Sequence, residues 1–296
     1  MAESFVKANG VNLAFDEFGD KAHPAIVLVM GLGTQMIAWP ISLCEDLASR
    51  GFRVIRFDNR DVGLSQKFDG LKPPNPLKLA LFPKLKIPLI PPYTLHDMAK
   101  DAIGLCDALG IQAAHWVGAS MGGMIAQIIA GEHPKRCLSL TSIMSTSGAP
   151  GLPGPKPAVL MRLIKKPSSS PAERLEYSLG TYKLIGSPGY PASEETLRQR
   201  IKLGQQRSFY PEGYPRHVAA IAGSGDRCTT LAKISVPTLI IHGKADVLVP
   251  PACGIDTHKR IPLSKLALIE GMGHDLPEAL CPQFAELIAE NASKAR

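Results

Sequence analysis

Gly118-Ala119-Ser120-Met121-Gly122 lies between an apolar run at residues 114–117 and a helix-like stretch at residues 121–130. A serine in a sharp strand-to-helix turn takes a strained backbone conformation, so the residues around it have to be small. Its hydroxyl is then exposed above the sheet, and the Met121 N–H at the helix start can bind a developing negative charge. The pattern predicts that Ser120 is a nucleophile. Glycines that only allow close packing of the helix on the strand are the alternative.

Outward from this turn, apolar runs alternate with helix-like stretches along most of the chain. Continuous apolar runs are typical of strands that are buried on both faces, as in a parallel sheet. They lie at residues 25–30, 53–57, 114–117, 138–143, 238–241 and 264–269, with helical spacing at residues 37–50, 95–109 and 121–130 and a hairpin at residues 5–15. The alternation predicts an α/β fold with a doubly wound, mostly parallel sheet.

Two stretches interrupt the alternation. Residues 148–230 contain several helical segments between two strands and are predicted to form a helical cap, with residues 1–147 and 231–296 as the core. Residues 66–92 are rich in proline and lysine, and no regular element persists through so many prolines. We expect an insertion loop here, and a lid that makes weak contact with a lipid interface is the alternative.

Composition excludes several classes of function. The 296 residues are 45% hydrophobic and 20% charged, as expected for one large core. The net charge of +7 is scattered and not paired with aromatic residues, so we expect no nucleic-acid partner. The six cysteines lie far apart, which predicts reduced thiols and no metal site. Residues 1–10 do not resemble a signal peptide and no apolar run approaches ~18 residues, so we expect a cytoplasmic protein.

A serine nucleophile needs a base to take its proton and a group that orients the base. Among the eight histidines, His274 lies in a glycine-rich loop just after the predicted strand 264–269, at the edge of the sheet where Ser120 emerges. His242 ends a strand, and we interpret it as structural. The same interpretation applies to the remaining histidines, which are His23, His96, His115, His133, His217 and His258.

Asp246 is the predicted orienting acid. It lies in the loop after the strand 238–241, so the chain order is serine, aspartate, histidine. Asp275 adjoins His274 and is a weaker candidate, because adjacent side chains rarely face one another. Asp226 in the predicted cap is weaker still.

The second amide of an oxyanion hole should come from the loop after the strand 25–30. This loop reads Met30-Gly31-Leu32-Gly33-Thr34-Gln35, and its glycines would let the backbone approach a substrate. We predict that Leu32 N–H is the donor, together with Met121 N–H. A simple turn is the alternative.

Together these motifs resemble the α/β-hydrolase superfamily, and within it the monomeric carboxylesterases that include the aclacinomycin methylesterase type. The resemblance covers nearly the whole chain. It implies that Ser120, Asp246 and His274 are nucleophile, acid and base, and that Leu32 and Met121 supply the oxyanion amides. It rests on Met30-Gly31-Leu32, on residues 58–65, on the Ser120 pentapeptide, on residues 242–250 and on Gly271-Met272-Gly273-His274.

The sequence departs from the family in two places. Met30 stands where many relatives have histidine, so we expect different hydrogen bonding in that loop. Residues 66–92 are longer than in the family, which affects substrate access. Within residues 58–65, Asp58, Arg60 and Asp61 are clustered charges that we interpret as structural ion pairs of that loop.

We therefore expect a serine hydrolase that cleaves carboxylic esters through an acyl-enzyme on Ser120. Its partner would be a small-molecule ester, it would use no metal or organic cofactor, and it would be a monomer or a dimer. Haloalkane dehalogenases and epoxide hydrolases of this fold use an aspartate nucleophile, so Ser120 argues against both. Lactonases, thioesterases, C–C bond hydrolases and perhydrolases use the same triad and are alternatives, as is a non-catalytic ligand-binding protein.

Overall fold

The computed structural model describes residues 3–73, 90–165 and 168–295. The strands in this part of the chain are β1 (Ser4–Ala8), β2 (Val11–Phe18), β3 (Ala25–Val29), β4 (Arg53–Phe57), β5 (Ala114–Ala119), β6 (Cys137–Ile143), β7 (Thr238–Gly243) and β8 (Lys265–Ile269). They form one sheet in the order β1-β2-β4-β3-β5-β6-β7-β8. β2 pairs antiparallel with β1 and with β4, and the other neighbours are parallel.

Helices cover both faces of this sheet. Those that alternate with strands are α1 (Ile41–Ser49), α2 (Leu95–Ala108), α3 (Met121–Glu132), α9 (Pro251–Arg260) and α10 (Cys281–Ala292). Between β6 and β7 lie α4 (Pro157–Leu163), α5 (Pro171–Ile185), α6 (Glu194–Arg207), α7 (Gly213–Gly223) and α8 (Cys228–Leu231). Short 3-10 helices occur at Met36–Ala38, Pro134–Arg136 and Glu278–Leu280.

The sheet separates two buried apolar clusters. Successive side chains of a strand point to opposite faces, so Val27 and Val29 of β3 pack with α2 and α3 while Leu28 packs with α1 and α10. All three of these side chains are completely buried. This arrangement confirms the doubly wound, mostly parallel α/β fold that the apolar runs predict.

The helices α4–α8 occupy the position of the predicted insertion at residues 148–230. Helix α5 begins with Pro171 in its first turn, and the Ser170 hydroxyl accepts from Glu173 N–H at 3.4 Å. The Glu173 carboxylate accepts from the Ser168 hydroxyl instead of closing a full capping box. That these helices act as a cap stays a prediction.

Residues 74–89, the larger part of the Pro- and Lys-rich segment 66–92, lie outside the described residues, and the lid hypothesis therefore stays a prediction. All six cysteines lie in the described part and none of them is disulfide-bonded. Among the helices described, none is both long and apolar enough to cross a membrane.

Candidate active site

Ser120 lies in the turn between β5 and α3. Its backbone has φ 56° and ψ −119°, a conformation that costs roughly 1–3 kcal/mol for a residue other than glycine. A Cβ atom on Gly118 would lie 2.1 Å from the Gly122 carbonyl oxygen, and one on Gly122 would lie 1.9 Å from the Val29 carbonyl oxygen. The tight turn therefore exists only because glycine occupies both positions, as the pentapeptide predicts.

The structure brings His274 between Ser120 and Asp246. His274 Nε2 is 3.0 Å from Ser120 Oγ, and His274 Nδ1 is 2.7 Å from Asp246 Oδ2. The other oxygen of the buried Asp246 accepts from the N–H groups of Leu248 and Val249, each at 2.8 Å. Because a carboxylate accepts and does not donate, the shared proton lies on Nδ1. Nε2 is then able to accept the serine proton.

His242 and Asp275, the nearby alternatives to His274 and Asp246, have other hydrogen-bond partners. His242 Nε2 donates to the Val249 carbonyl at 2.8 Å, so this histidine supports the loop that carries Asp246, in agreement with its structural interpretation. The Asp275 carboxylate accepts from the Ser187 hydroxyl. Burial raises the pKa of Asp275, and the hydrogen bonds with Ser187 oppose that rise. Within the described ranges, no group of three or more His, Cys, Asp or Glu side chains is arranged to hold a metal ion.

The loop after β3 passes next to Ser120. A Cβ atom on Gly31 would lie 3.1 Å from Ser120 Cβ. The Gly31 carbonyl accepts from Thr34 N–H at 3.3 Å, and the Leu32 carbonyl accepts from the Thr34 hydroxyl at 3.0 Å. No acceptor among the described residues takes the N–H of Leu32 or of Met121. These two amides are available to bind an oxyanion.

Comparison with known proteins agrees with this fold. A family model described as alpha/beta hydrolase fold matches residues 24–163. The crystal structure of the enol-lactonase from Burkholderia xenovorans LB400 is similar with a TM-score of 0.76 and 23% identity, over 98% of this chain and 100% of that chain. The chain has the α/β-hydrolase fold.

This α/β-hydrolase is similar over its whole length to two methylesterases. It is 29% identical to Rhodomycin D methylesterase DauP of Streptomyces sp. (strain C5), in an alignment that covers 100% of this chain and 99% of the relative. It is 28% identical to Rhodomycin D methylesterase DnrP of Streptomyces peucetius, with the same coverage. These similarities confirm the resemblance to the methylesterase type of carboxylesterase.

His217, which the sequence analysis interprets as structural, holds the loop after β3 from α7. Gly33 N–H donates to His217 Nδ1 at 3.2 Å, and His217 Nε2 donates to the Arg60 carbonyl at 2.8 Å. Burial lowers the pKa of His217 to about 4, so the ring is neutral at pH 7 and Nδ1 is an acceptor. No glycine-rich motif surrounds His217, and its helix gives no local signal of a role at the site.

The same loop has further contacts with the core and with α6. The Asn59 side-chain amide donates to the Met30 carbonyl at 2.9 Å. Gln35 Nε2 donates to the carbonyls of Gly204 at 2.7 Å and Ser208 at 2.9 Å, and Gln35 Oε1 accepts from Arg207 at 2.7 Å. The loop is therefore held by the end of α6 as well as by α7.

The charged residues of the segment 58–65 form buried ion pairs, as predicted, but their partners lie on other elements. The pairs are Arg60 with Asp101, Asp58 with Arg207 and Asp61 with Arg216, at N–O distances of 2.5, 2.7 and 2.8 Å. Burial opposes ionisation of Asp61, but hydrogen bonds from Arg216 and Tyr93 outweigh it and hold the pKa of Asp61 below its usual value. Side chains of one short loop extend away from each other, so they reach helices α2, α6 and α7 instead.

The histidine loop, residues 270–275, lies against the segment that follows α5. His274 N–H donates to the Ile185 carbonyl at 2.7 Å, and Gly189 N–H donates to the Gly271 carbonyl at 2.9 Å. These main-chain contacts fix the backbone of His274 from the side of the helical insertion.

Gly273 and Ser187 complete this contact. Gly273 N–H donates to Ser187 Oγ at 2.8 Å, and the same hydroxyl donates to Asp275. A Cβ atom on Gly273 would lie 2.3 Å from the Gly186 carbonyl oxygen, so a larger residue would push the two segments apart.

Proposed function

We propose that this α/β-hydrolase cleaves carboxylic esters through an acyl-enzyme on Ser120, with His274 as general base and Asp246 as the group that orients it. The main support for this proposal is the continuous hydrogen-bond chain from Ser120 Oγ through His274 to Asp246, with distances of 3.0 and 2.7 Å. The full-length similarity to two methylesterases makes the chain an esterase-type hydrolase and supports an ester as the substrate.

Acylation begins when Ser120 Oγ attacks the ester carbonyl carbon and its proton moves to His274 Nε2. The carbonyl oxygen becomes an oxyanion, which accepts hydrogen bonds from Leu32 N–H and Met121 N–H. The tetrahedral intermediate then collapses. The bond to the alkoxy oxygen breaks, the alcohol leaves with the proton from His274, and the acyl group stays on Ser120.

Deacylation repeats these steps with water as the nucleophile. His274 Nε2 takes a proton from water, the hydroxyl oxygen attacks the acyl carbon, and the same two amides bind the second oxyanion. The intermediate expels Ser120 Oγ, which recovers its proton from His274. A carboxylic acid is released, and Asp246 accepts the hydrogen bond from Nδ1 throughout.

The test is hydrolysis of p-nitrophenyl acetate, butyrate and decanoate by the native protein and by Ser120→Ala. We expect a burst of p-nitrophenol from the native protein and a loss of kcat of about 10³–10⁶ in the variant, because the acyl-enzyme cannot form. Ser49→Ala, at the exposed end of α1, is the matched control and should keep full activity. Retained turnover in Ser120→Ala would place the nucleophile elsewhere, and a native protein inert on every ester would refute the ester assignment.

A further inference from the structure

His217 of α7 joins two loops of the core that are far apart in sequence. Its Nδ1 accepts from Gly33 N–H at 3.2 Å in the loop after β3, and its Nε2 donates to the Arg60 carbonyl at 2.8 Å in the loop after β4. The side chain is completely buried. Both ring nitrogens therefore have a main-chain partner, and neither partner belongs to the helix that carries the histidine.

We propose that His217 is a positioning residue for ester hydrolysis, which holds the loop 31–35 in the conformation that presents Leu32 N–H to the oxyanion. The inference rests on the proposed function of Leu32, and it gives a residue of the helical insertion a part in positioning the loop.

The hydrogen bonds around Leu32 show why Gly33 matters. The C=O and N–H of a trans peptide point in opposite directions. The Gly31 carbonyl is held by Thr34 N–H, and this fixes the direction of the Leu32 N–H in the same peptide group. The next peptide group is held at both ends, at the Leu32 carbonyl by the Thr34 hydroxyl and at Gly33 N–H by His217. The Thr34 contacts are internal to the loop, whereas the His217 contact fixes the loop relative to the core.

Helix α7 is a firm support for this contact. A Cβ atom on Gly213 would lie 2.1 Å from the Asp61 carbonyl oxygen, so the helix begins directly on the core backbone. Arg216 donates to both oxygens of the buried Asp61, each at 2.8 Å. The ring of Tyr214 lies over Gly33, and a Cβ atom on Gly33 would be 3.0 Å from that ring.

Two variants separate the two hydrogen bonds of His217. In His217→Asn the side-chain oxygen can stand in for Nδ1 and accept from Gly33 N–H, while the bond to Arg60 is lost. In His217→Gln the longer side chain can donate to Arg60 in place of Nε2, while Gly33 loses its acceptor. Each variant removes one buried hydrogen bond, so a purely structural role predicts similar behaviour of both. The assay measures kcat and KM for the best p-nitrophenyl ester, together with amide hydrogen exchange of residues 31–35.

We expect His217→Gln to lower kcat by about 10- to 100-fold, with KM changed less than about threefold, because the oxyanion amide is displaced rather than removed. Its residues 31–35 should exchange faster. His217→Asn should keep kcat within about threefold and the native exchange rate. Equal kcat in the two variants, or a larger loss in His217→Asn, would overturn the inference.

Failure of the ester assignment is distinguishable from failure of this inference. If the native protein hydrolyses no ester, the amide hydrogen exchange of residues 31–35 still tests the positioning role of His217. Faster exchange in His217→Gln than in His217→Asn supports that role, and equal exchange rejects it. If His217→Gln does not fold, His217→Ala is assayed with added imidazole, which can occupy the vacated space. Recovery of kcat at unchanged KM then supports the inference, and no recovery overturns it.

Discussion

Two loops meet at Ser120, one with its backbone and the other with the His274 side chain, and the helical insertion holds them in different ways. The oxyanion loop, residues 31–35, is held by side chains of the insertion, chiefly through His217 and Arg207. The histidine loop, residues 270–275, is held mainly by main-chain hydrogen bonds and by glycines that lie against the end of α5 and the segment after it, with Ser187 as an added side-chain contact. We therefore expect turnover to fall when side chains that hold the first loop are removed, and when side chains are added to the glycines of the second loop.

The difference follows from what each loop has to present in the proposed mechanism. The oxyanion donor is a backbone N–H. A few side-chain contacts that fix the neighbouring peptide groups are therefore enough to set its direction. A general base must place a whole imidazole ring within hydrogen-bonding distance of Ser120 and Asp246. Its backbone lies directly against that of the insertion, where a Cβ atom on Gly273 would be 2.3 Å from the Gly186 carbonyl oxygen.

The largest effect expected in the histidine loop comes from the hydrogen bond that orients the ring. Asp246→Asn keeps the shape of the acid but can donate to Nδ1, so His274 would adopt the tautomer that cannot accept the serine proton. We expect kcat to fall about 10⁴-fold with little change in KM. Steady-state kinetics on a p-nitrophenyl ester measure both values.

Asp275→Asn is the matched control for this prediction, since Asp275 adjoins His274 but contacts Ser187. It should keep kcat within about tenfold of the native value. A large loss in Asp275→Asn together with native turnover in Asp246→Asn would move the orienting acid to the neighbouring residue.

The fold and the core half of the site could be predicted from the sequence because their signals are local. Apolar runs give β3, β5, β6, β7 and β8, and the glycines around Ser120 give the turn. Asp246 and His274 each follow a strand whose carboxyl end lies at the same edge of the sheet as Ser120. Their position could therefore be worked out without knowing any contact between them, although their catalytic roles stay predictions.

The contacts of the insertion could not be predicted in this way. His217 meets Gly33 across 184 positions of sequence, and Arg216 meets Asp61 across 155. The partners depend on how α7 docks on the core, and no periodicity or short motif records that. The charges at residues 58–65 indicate ion pairs, since buried carboxylates require partners. The sequence does not identify the arginines that supply those partners.

A smaller effect is expected when a methyl group is added to the histidine loop. In Gly273→Ala the new Cβ would lie 2.3 Å from the Gly186 carbonyl oxygen and 2.6 Å from that of Ile185, so the loop has to shift. Displacing a catalytic group by about 1 Å lowers turnover by about 10²-fold, which is the loss of kcat we expect. The measurement is kcat beside thermal unfolding.

Gly154→Ala is the control for the added methyl group. Gly154 also lies in the insertion's part of the chain, and a Cβ there meets nothing within 4 Å. It should keep native kcat. Equal activity of Gly273→Ala and the native protein would show that the histidine loop tolerates added side chains, and the contrast between the two loops would be lost.

The smallest expected effect on turnover comes from Ser187→Ala, which removes the side chain that the insertion contributes to the histidine loop. Gly273 N–H loses an acceptor and Asp275 loses a donor. We expect the free energy of unfolding to fall by about 1–3 kcal/mol at pH 7, while the main-chain bond from His274 to Ile185 keeps kcat within about tenfold.

The loss of stability in Ser187→Ala should depend on pH. Burial already raises the pKa of Asp275 in the folded protein, and the Ser187 hydroxyl opposes this rise. A carboxyl with a raised folded pKa binds its proton more tightly when folded, so stability falls as pH rises from the unfolded pKa through the folded one. Without the hydroxyl the pKa of Asp275 rises further, and the variant should lose more stability at pH 7 than at pH 4.5.

Denaturant unfolding at both pH values measures this loss. When Ser187→Ala is combined with Asp275→Asn, the loss should no longer depend on pH, because no charge is left to bury at position 275. A loss that is equal at both pH values would mean that Ser187 stabilises the histidine loop only as the acceptor for Gly273 N–H, and not through Asp275.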